Sequence, residues 1–211
     1  MFRQYRKIEK GEFIIAGGDC SQGGSDSNAC QFYSATKLDV PLVFHSRGVA
    51  AQMTPQVYHV LNKVADVTGI KPVVGFERQM GGASEMDRLN ALNHHMKYKC
   101  FLMPVIGNNA KQGERTDKLG FDTSPLSRPI IVGGLKEVID VNGIGIYDQE
   151  TIDELSIFIE GPTGKPEAAS GGHDDLVISL GGARWMSLFE TPETISSNNV
   201  TLPEQDLGEW Y

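Results

Sequence analysis

Apolar positions fall first into three short runs and then into alternating helical and extended segments. Residues 12–20 (EFIIAGGDC), 28–36 (NACQFYSAT) and 41–46 (PLVFHS) read as strands joined by short turns, which predicts an antiparallel meander. Over 54–69, Val57, Val60, Leu61, Val64 and Ala65 recur at helical spacing. Thr54 reads as the N-cap, Pro55 as the first helical position and Gly69 as the stop. A buried-type strand over 71–77 (KPVVGFE) follows. A helix over 84–96 comes next, with Met86, Leu89 and Leu92 inward, then a strand over 100–105. The polar stretch 107–123 (GNNAKQGERTDKLGFDT) is long enough to be functional or flexible. A helix over 125–141 with a central glycine pair, a short strand GIGIYD and a short helix over 151–158 come next, Thr151 and Glu154 being spaced as a capping box. The loop GPTGKPEAASGG then leads to a final helix that begins near Asp174.

This order predicts a mixed α/β sheet covered by helices, and the antiparallel opening excludes a plain doubly wound sheet. The chain divides into three parts. Residues 1–11, with four basic residues and one acid over 1–10, read as a leader or interdomain linker. Residues 12–189 form one globular unit. Residues 190–211, with five acids, no basic residue and two prolines, form an acidic tail. No repeat and no low-complexity block interrupts the pattern.

Composition narrows the function. With 211 residues, 40% hydrophobic and 22% charged, the chain can build a full core. A net charge of −8 is the wrong sign for a surface that wraps nucleic acid throughout, so DNA contact requires a local basic face or bound cations. Between residues 97 and 136 seven Lys/Arg stand against three acids (114, 117 and 122). Lys111, Arg115, Lys118 and Arg128 are the candidate DNA contacts in that window, the alternative being a solvated loop. No apolar run approaches the ~18 residues of a membrane span, and the start MFRQYRKIEKGEF has no apolar signal core. Cys20, Cys30 and Cys100 form neither a CxxC nor an even disulfide set, which fits small core residues in a reducing cytoplasm.

The acids carry the chemistry. Asp19 ends the first strand, Glu77 ends the fourth, and Asp174 and Asp175 open the last helix. Each has an ordinary alternative, as a turn acid or a helix cap. Their joint occurrence at strand and helix termini favours a cluster. Carboxylates so crowded bind protons unless a cation intervenes, and hard oxygen ligands suit Mg²⁺ or Mn²⁺. Two such ions ~3.5–4 Å apart fit phosphodiester hydrolysis. Asp26 and His173 are possible auxiliary groups; His94 and His95 read as surface and packing residues. No HExxH or Cys/His spacing suggests zinc, GPTGKP is not a phosphate loop and GGDCSQGG is not a dinucleotide fingerprint.

With these residues in place, the chain resembles the nuclease domain of the large terminase subunit of tailed bacteriophages. The resemblance rests on GGDCSQGGSDSNACQFY, VVGFERQMGG, KLGFDTSPLSRPIIVGGLKEVI, TIDELSIFI and GGHDDLVISLGGA, and covers about residues 12–189. It implies the RNase H-like (retroviral integrase-like) fold: a mixed five-stranded sheet, antiparallel over its first three strands and parallel beyond, flanked by helices, with a small C-terminal insertion. It also implies an endonuclease that cuts concatemeric viral DNA during packaging. Asp19, Glu77 and the Asp174/Asp175 pair would hold two divalent ions, with the direct ligand of that pair left open. Double-stranded DNA, a terminase ATPase domain, the small terminase subunit and the portal would be its partners, in the host cytoplasm and away from membranes. No Walker A motif is present, so the expectation is a nuclease domain alone. A junction resolvase or transposase with the same carboxylate chemistry is the nearest rival. An actin- or sugar-kinase-like ATPase, which needs a second similar domain that 211 residues leave no room for, is another, and a non-catalytic packaging scaffold the third.

Overall fold

The computed structural model describes residues 1–107, 110–111, 113–160, 166–169 and 172–195, with the side chains of 24–26, 159, 160 and 166 outside that description. In chain order the elements are β1 (Phe2–Gln4), β2 (Ile14–Asp19), β3 (Gln22–Ser34), β4 (Asp39–Val49), α1 (Ala50–Thr68), β5 (Val73–Phe76), α2 (Gly82–Leu92) and β6 (Lys99–Cys100). β7 (Leu102–Pro104), β8 (Arg115–Leu119), α3 (Ser127–Asp140), α4 (Gln149–Ser156), β9 (Phe158–Glu160), β10 (Pro166–Ala168) and α5 (Asp175–Met186) follow. The main sheet runs β1-β4-β3-β2-β5-β6. β2, β3 and β4 form the expected antiparallel meander, while β5 pairs in parallel with both β2 and β6.

Side-chain alternation along the central strands builds two cores. Ile14, Ala16, Val74 and Phe76 face α1 and α2, where Val57, Leu61, Val64, Met86 and Leu89 are buried. Ile15 and Val73 face the other way, against Leu176, Val177, Leu180, Ile131 and Leu135 of α5 and α3. Gly17 and Gly75 continue this second face. A Cβ at Gly17 would stand 2.2 Å from the Ser179 carbonyl oxygen, and one at Gly75 would stand 2.4 Å from the Met186 sulfur. Glycine at both positions therefore lets α5 lie directly on the strand backbones, and Leu176 to Ala183 are buried without a break.

The sheet has six strands rather than five because the segment expected as a leader supplies an edge strand. β1 pairs with β4, and the Phe2 ring packs 4.9 Å from that of Phe44. Arg3 and Tyr5 then reach Asp148, with the Arg3 Nε–Asp148 Oδ1 distance at 2.6 Å. Asp148 also accepts from the Thr151 N–H at 2.9 Å, so Asp148 caps α4 and the Thr151/Glu154 capping box is not formed. α1 begins at Ala50, before the expected Thr54 cap. Thr54 is interior and donates to the Ala50 carbonyl at 3.4 Å. Pro55 lies inside the helix and cannot donate to Ala51; the Arg88 guanidinium donates to that carbonyl instead, at 3.1 Å. α2 stops at Leu92, and GIGIYD contributes only an isolated bridge between Gly145 and Asp39. The expected strand over 100–105 splits between two sheets, and its second half pairs with β8 to form a hairpin within the polar stretch. All three cysteines are free and buried, and no helix among the described residues is long and apolar enough to cross a membrane. Residues 161–165 of the GPTGKP loop and residues 196–211 of the acidic tail lie outside the described residues.

Candidate active site

Asp19 is the last residue of β2, and Glu77 directly follows β5. The Glu77 N–H donates to the Gly18 carbonyl at 2.7 Å, which sets the two acids side by side. Both side chains continue the face of Gly17 and Gly75, towards α5. With Ser179 seated over Gly17, four helical residues (~6 Å) run back to Asp175 while two strand residues (~6.6 Å) run on to Asp19. The start of α5 thus stands over the carboxyl ends of β2 and β5. Chain reversal after Glu77 depends on glycine: a Cβ at Gly82 would stand 1.7 Å from the Glu77 carbonyl oxygen.

Asp19 and Glu77 are almost fully covered, at 8% and 7% exposure. Burial first, then the charge and hydrogen bond of Glu77, then the charges of Asp175 and Asp174, push the Asp19 carboxyl well above the usual carboxylate range. The Thr123 hydroxyl donates to Glu77 Oε1. The Ser27 N–H donates to Asp175 Oδ2 at 3.2 Å, and Asp174 is paired with the Arg128 guanidinium. His173 is largely exposed, with Nδ1 3.9 Å from the Asp175 carboxylate. The Asp26 side chain lies outside the described residues.

Two supports escaped the sequence reading. Thr123 sits in the polar stretch, 46 residues from the glutamate it holds. Glu154 accepts from the Leu176 and Val177 N–H groups at 2.8 and 3.3 Å, satisfying donors that α5 leaves open at its first turn. Burial pushes the Glu154 carboxyl up to about 7, with Asp175 and Asp174 adding to the rise against the two N–H bonds. Nothing local in TIDELSIFI signals this contact, because its partners lie on another helix.

The basic window is mostly committed within the protein. Lys97 pairs with Asp66, Lys99 and Arg115 with Glu190, Arg128 with Asp174 and Lys136 with Asp140, which accounts for five of its seven cations. Arg115 also lies over the Phe101 and Phe189 rings, 5.1 and 5.2 Å from their centroids, as a packing cation rather than an exposed one. Lys111 and Lys118, on and beside the β7–β8 hairpin, are exposed.

The donor set is chemically suited to a hard divalent cation: carboxylate oxygens, buried at Asp19 and Glu77 and half-buried at Asp174 and Asp175, mutually repelling, at the N-terminus of a helix. Among the described residues no three such side chains are closed on a common point. Instead the Asp19 carboxyl lies under the influence of Glu77, and Asp174 is drawn to Arg128. Asp19, Glu77 and Asp175 offer hard oxygen donors of the kind a divalent cation takes, while Asp174 is held by arginine.

No protein-family model matches the sequence, and no curated protein matches it. Solved structures do. The large terminase nuclease of thermophilic phage G20c shares 18% identity at a TM-score of 0.58, over 89% of this chain and 92% of that one. The P22 large terminase nuclease domain shares 9% identity at 0.53, over 89% and 87%. The human cytomegalovirus terminase nuclease domain, Mn-soaked with an inhibitor bound, shares 8% at 0.57, over 85% of each chain. G20c nuclease structures with bound magnesium and cobalt are similar to this chain at the same TM-score of 0.58. The chain has the RNase H-like fold of large terminase nuclease domains.

Proposed function

We propose that this chain is a divalent-metal-dependent endonuclease that cuts double-stranded DNA during viral genome packaging. The observation that carries the reading is the convergence of Asp19, Glu77, Asp174 and Asp175 where two neighbouring parallel strands end under a helix start. Asp19, Glu77 and Asp175 are assigned as the metal ligands, and Asp174 as the acid that Arg128 neutralises beside them. Bound Mg²⁺ or Mn²⁺, as a pair, would supply an activated water and stabilise the leaving 3′ oxygen. The protein's own residues do the rest. Burial of Asp19 and Glu77 excludes bulk water and strengthens their hold on a cation. Thr123 and the Ser27 N–H fix carboxylate orientation, and Glu154 anchors the helix that carries Asp175. Lys111 and Lys118, exposed on and beside the hairpin, are the proposed contacts to the DNA backbone. Neighbours with metals in their structures support this reading, as does the spread of the fold from phage to cytomegalovirus nucleases. A terminase ATPase domain, a small subunit and a portal are the corresponding partners, in the host cytoplasm.

The test is incubation of the chain with supercoiled plasmid in Mn²⁺ or Mg²⁺ without ATP. Nicked and linear products that vanish with chelator are expected. Millimolar Mn²⁺ is expected to raise the melting temperature by several degrees, because the folded cluster binds an ion that the unfolded chain cannot gather. Intact plasmid together with an unmoved melting curve would overturn the proposal.

A further inference from the structure

We propose that Arg47 is a DNA-phosphate contact of this site, gripping the backbone next to the phosphate held at the carboxylates; the inference rests on the nuclease reading above. Arg47 of β4 stands opposite Ser27 of β3, whose N–H donates to Asp175. Ala29 stands opposite both Asp19 and His45. Directly opposed residues share a face, and alternation carries that face along each strand. Asp19, Ala29, His45, Ser27 and Arg47 are therefore all on the α5 side. Val43, further back along β4, packs into that core, and the His45 ring reaches Glu150 of α4 at 2.6 Å. Two strand spacings, ~10 Å, separate β4 from β2. Arg47 thus lies at the rim of the carboxylate cluster, outside its ligand set.

The backbone at Arg47 is tied to the backbone after Asp19. Buried Asn28 accepts from the Ser21 N–H at 2.9 Å and donates to the Gly48 carbonyl at 2.8 Å. The Ala50 N–H donates to the Ser21 carbonyl at 2.9 Å. The side chain itself is exposed and, among the described residues, makes no hydrogen bond or ion pair. Most cations of the 97–136 window, by contrast, are spent on the protein's own acids. In a chain of net charge −8, a DNA backbone entering this cluster meets repulsion from the carboxylates. A guanidinium fixed at the rim offsets it and presents a fork matched to phosphate oxygens.

The experiment measures binding of a short blunt duplex to the full chain in Ca²⁺ across a KCl series. Wild type is compared with Arg47→Gln, Arg47→Lys and Lys10→Gln. Lys10 is exposed and precedes β2, at the strand end away from Asp19. Arg47→Gln is expected to weaken binding about tenfold and to flatten the log–log salt slope by about 0.9, the value of one duplex phosphate contact. Arg47→Lys should keep the slope, and Lys10→Gln should keep both slope and affinity. An Arg47→Gln protein with wild-type affinity and slope, in a preparation whose wild type binds duplex and cuts plasmid, would overturn the Arg47 assignment and leave the nuclease reading standing. A wild type that neither binds nor cuts would overturn both.

Discussion

Asp19→Asn, Glu77→Gln and Asp175→Asn are each expected to abolish plasmid cleavage while the protein stays folded. The amide keeps the shape of the carboxylate and an acceptor oxygen, so Thr123 and the Ser27 N–H keep their bonds to positions 77 and 175. It removes a negative charge from a site assigned to divalent ions. Losing a ligand should cost several kcal/mol of transition-state stabilisation, a rate loss of at least ~10²–10³. Stability should hold or rise, because Asp19 is buried among Glu77, Asp175 and Asp174 and its charged form is already disfavoured. A structural acid behaves in the opposite way, lowering stability and sparing activity. Plasmid cleavage beside a melting curve for each variant separates the two. Wild-type cutting by Asp19→Asn and Glu77→Gln would remove both residues from the chemistry.

Asp148→Ala is expected to cost the largest share of stability of any single acid in the chain. The Asp148 carboxylate is buried and accepts from Arg3, Tyr5, the Thr151 N–H and the Thr151 hydroxyl. Its removal uncaps α4, leaves a partly buried Arg3 paired with Glu150 alone and loosens β1 at the sheet edge, for a loss of about 3–5 kcal/mol. Burial raises the Asp148 pKa, but the bonds from Arg3, Tyr5 and Thr151 outweigh it and hold the carboxyl down to about 2. A carboxyl lowered on folding stabilises the protein above its unfolded pKa and loses that contribution as pH falls through the folded one. About 2–3 kcal/mol should therefore fade between roughly pH 4 and pH 2 in the wild type. Asp148→Asn should lack that part of the acid dependence. Urea denaturation of both proteins across this range reads the difference. Parallel stability–pH curves for the two, or an Asp148→Ala protein that melts with the wild type, would show that Asp148 does not hold the N-terminal segment.

Strand ends and helix stripes were readable because their signals are local. Asp19, Glu77 and Asp174/Asp175 stand out as acids at the ends of apolar runs, and the Val57 to Ala65 stripe shows at helical spacing. What sequence could not show depends on partners far along the chain. Residues 1–11 look like a leader until Asp148, 145 residues from Arg3, anchors them. Pro55 looks like a helix start because only the fold brings Arg88 to the carbonyl that proline cannot serve. Glu154 looks like half of a capping box, yet its carboxylate is taken by the first turn of α5. Arg115 counts as a surface cation in a window average, whereas two aromatic rings and Glu190 surround it. The same blindness hid Arg47, which no charge window marks and which only strand register sets opposite Ser27, the residue whose N–H holds Asp175.

The central claim is that Asp19, Glu77 and Asp175 together hold a divalent cation. Anomalous diffraction from crystals of the chain soaked in Mn²⁺ tests it most directly. The account predicts anomalous peaks within coordinating distance of all three carboxylates, lost in crystals of Asp19→Asn soaked in the same way. Manganese bound elsewhere with these carboxylates unliganded, or peaks at the site that survive Asp19→Asn unchanged, would contradict it.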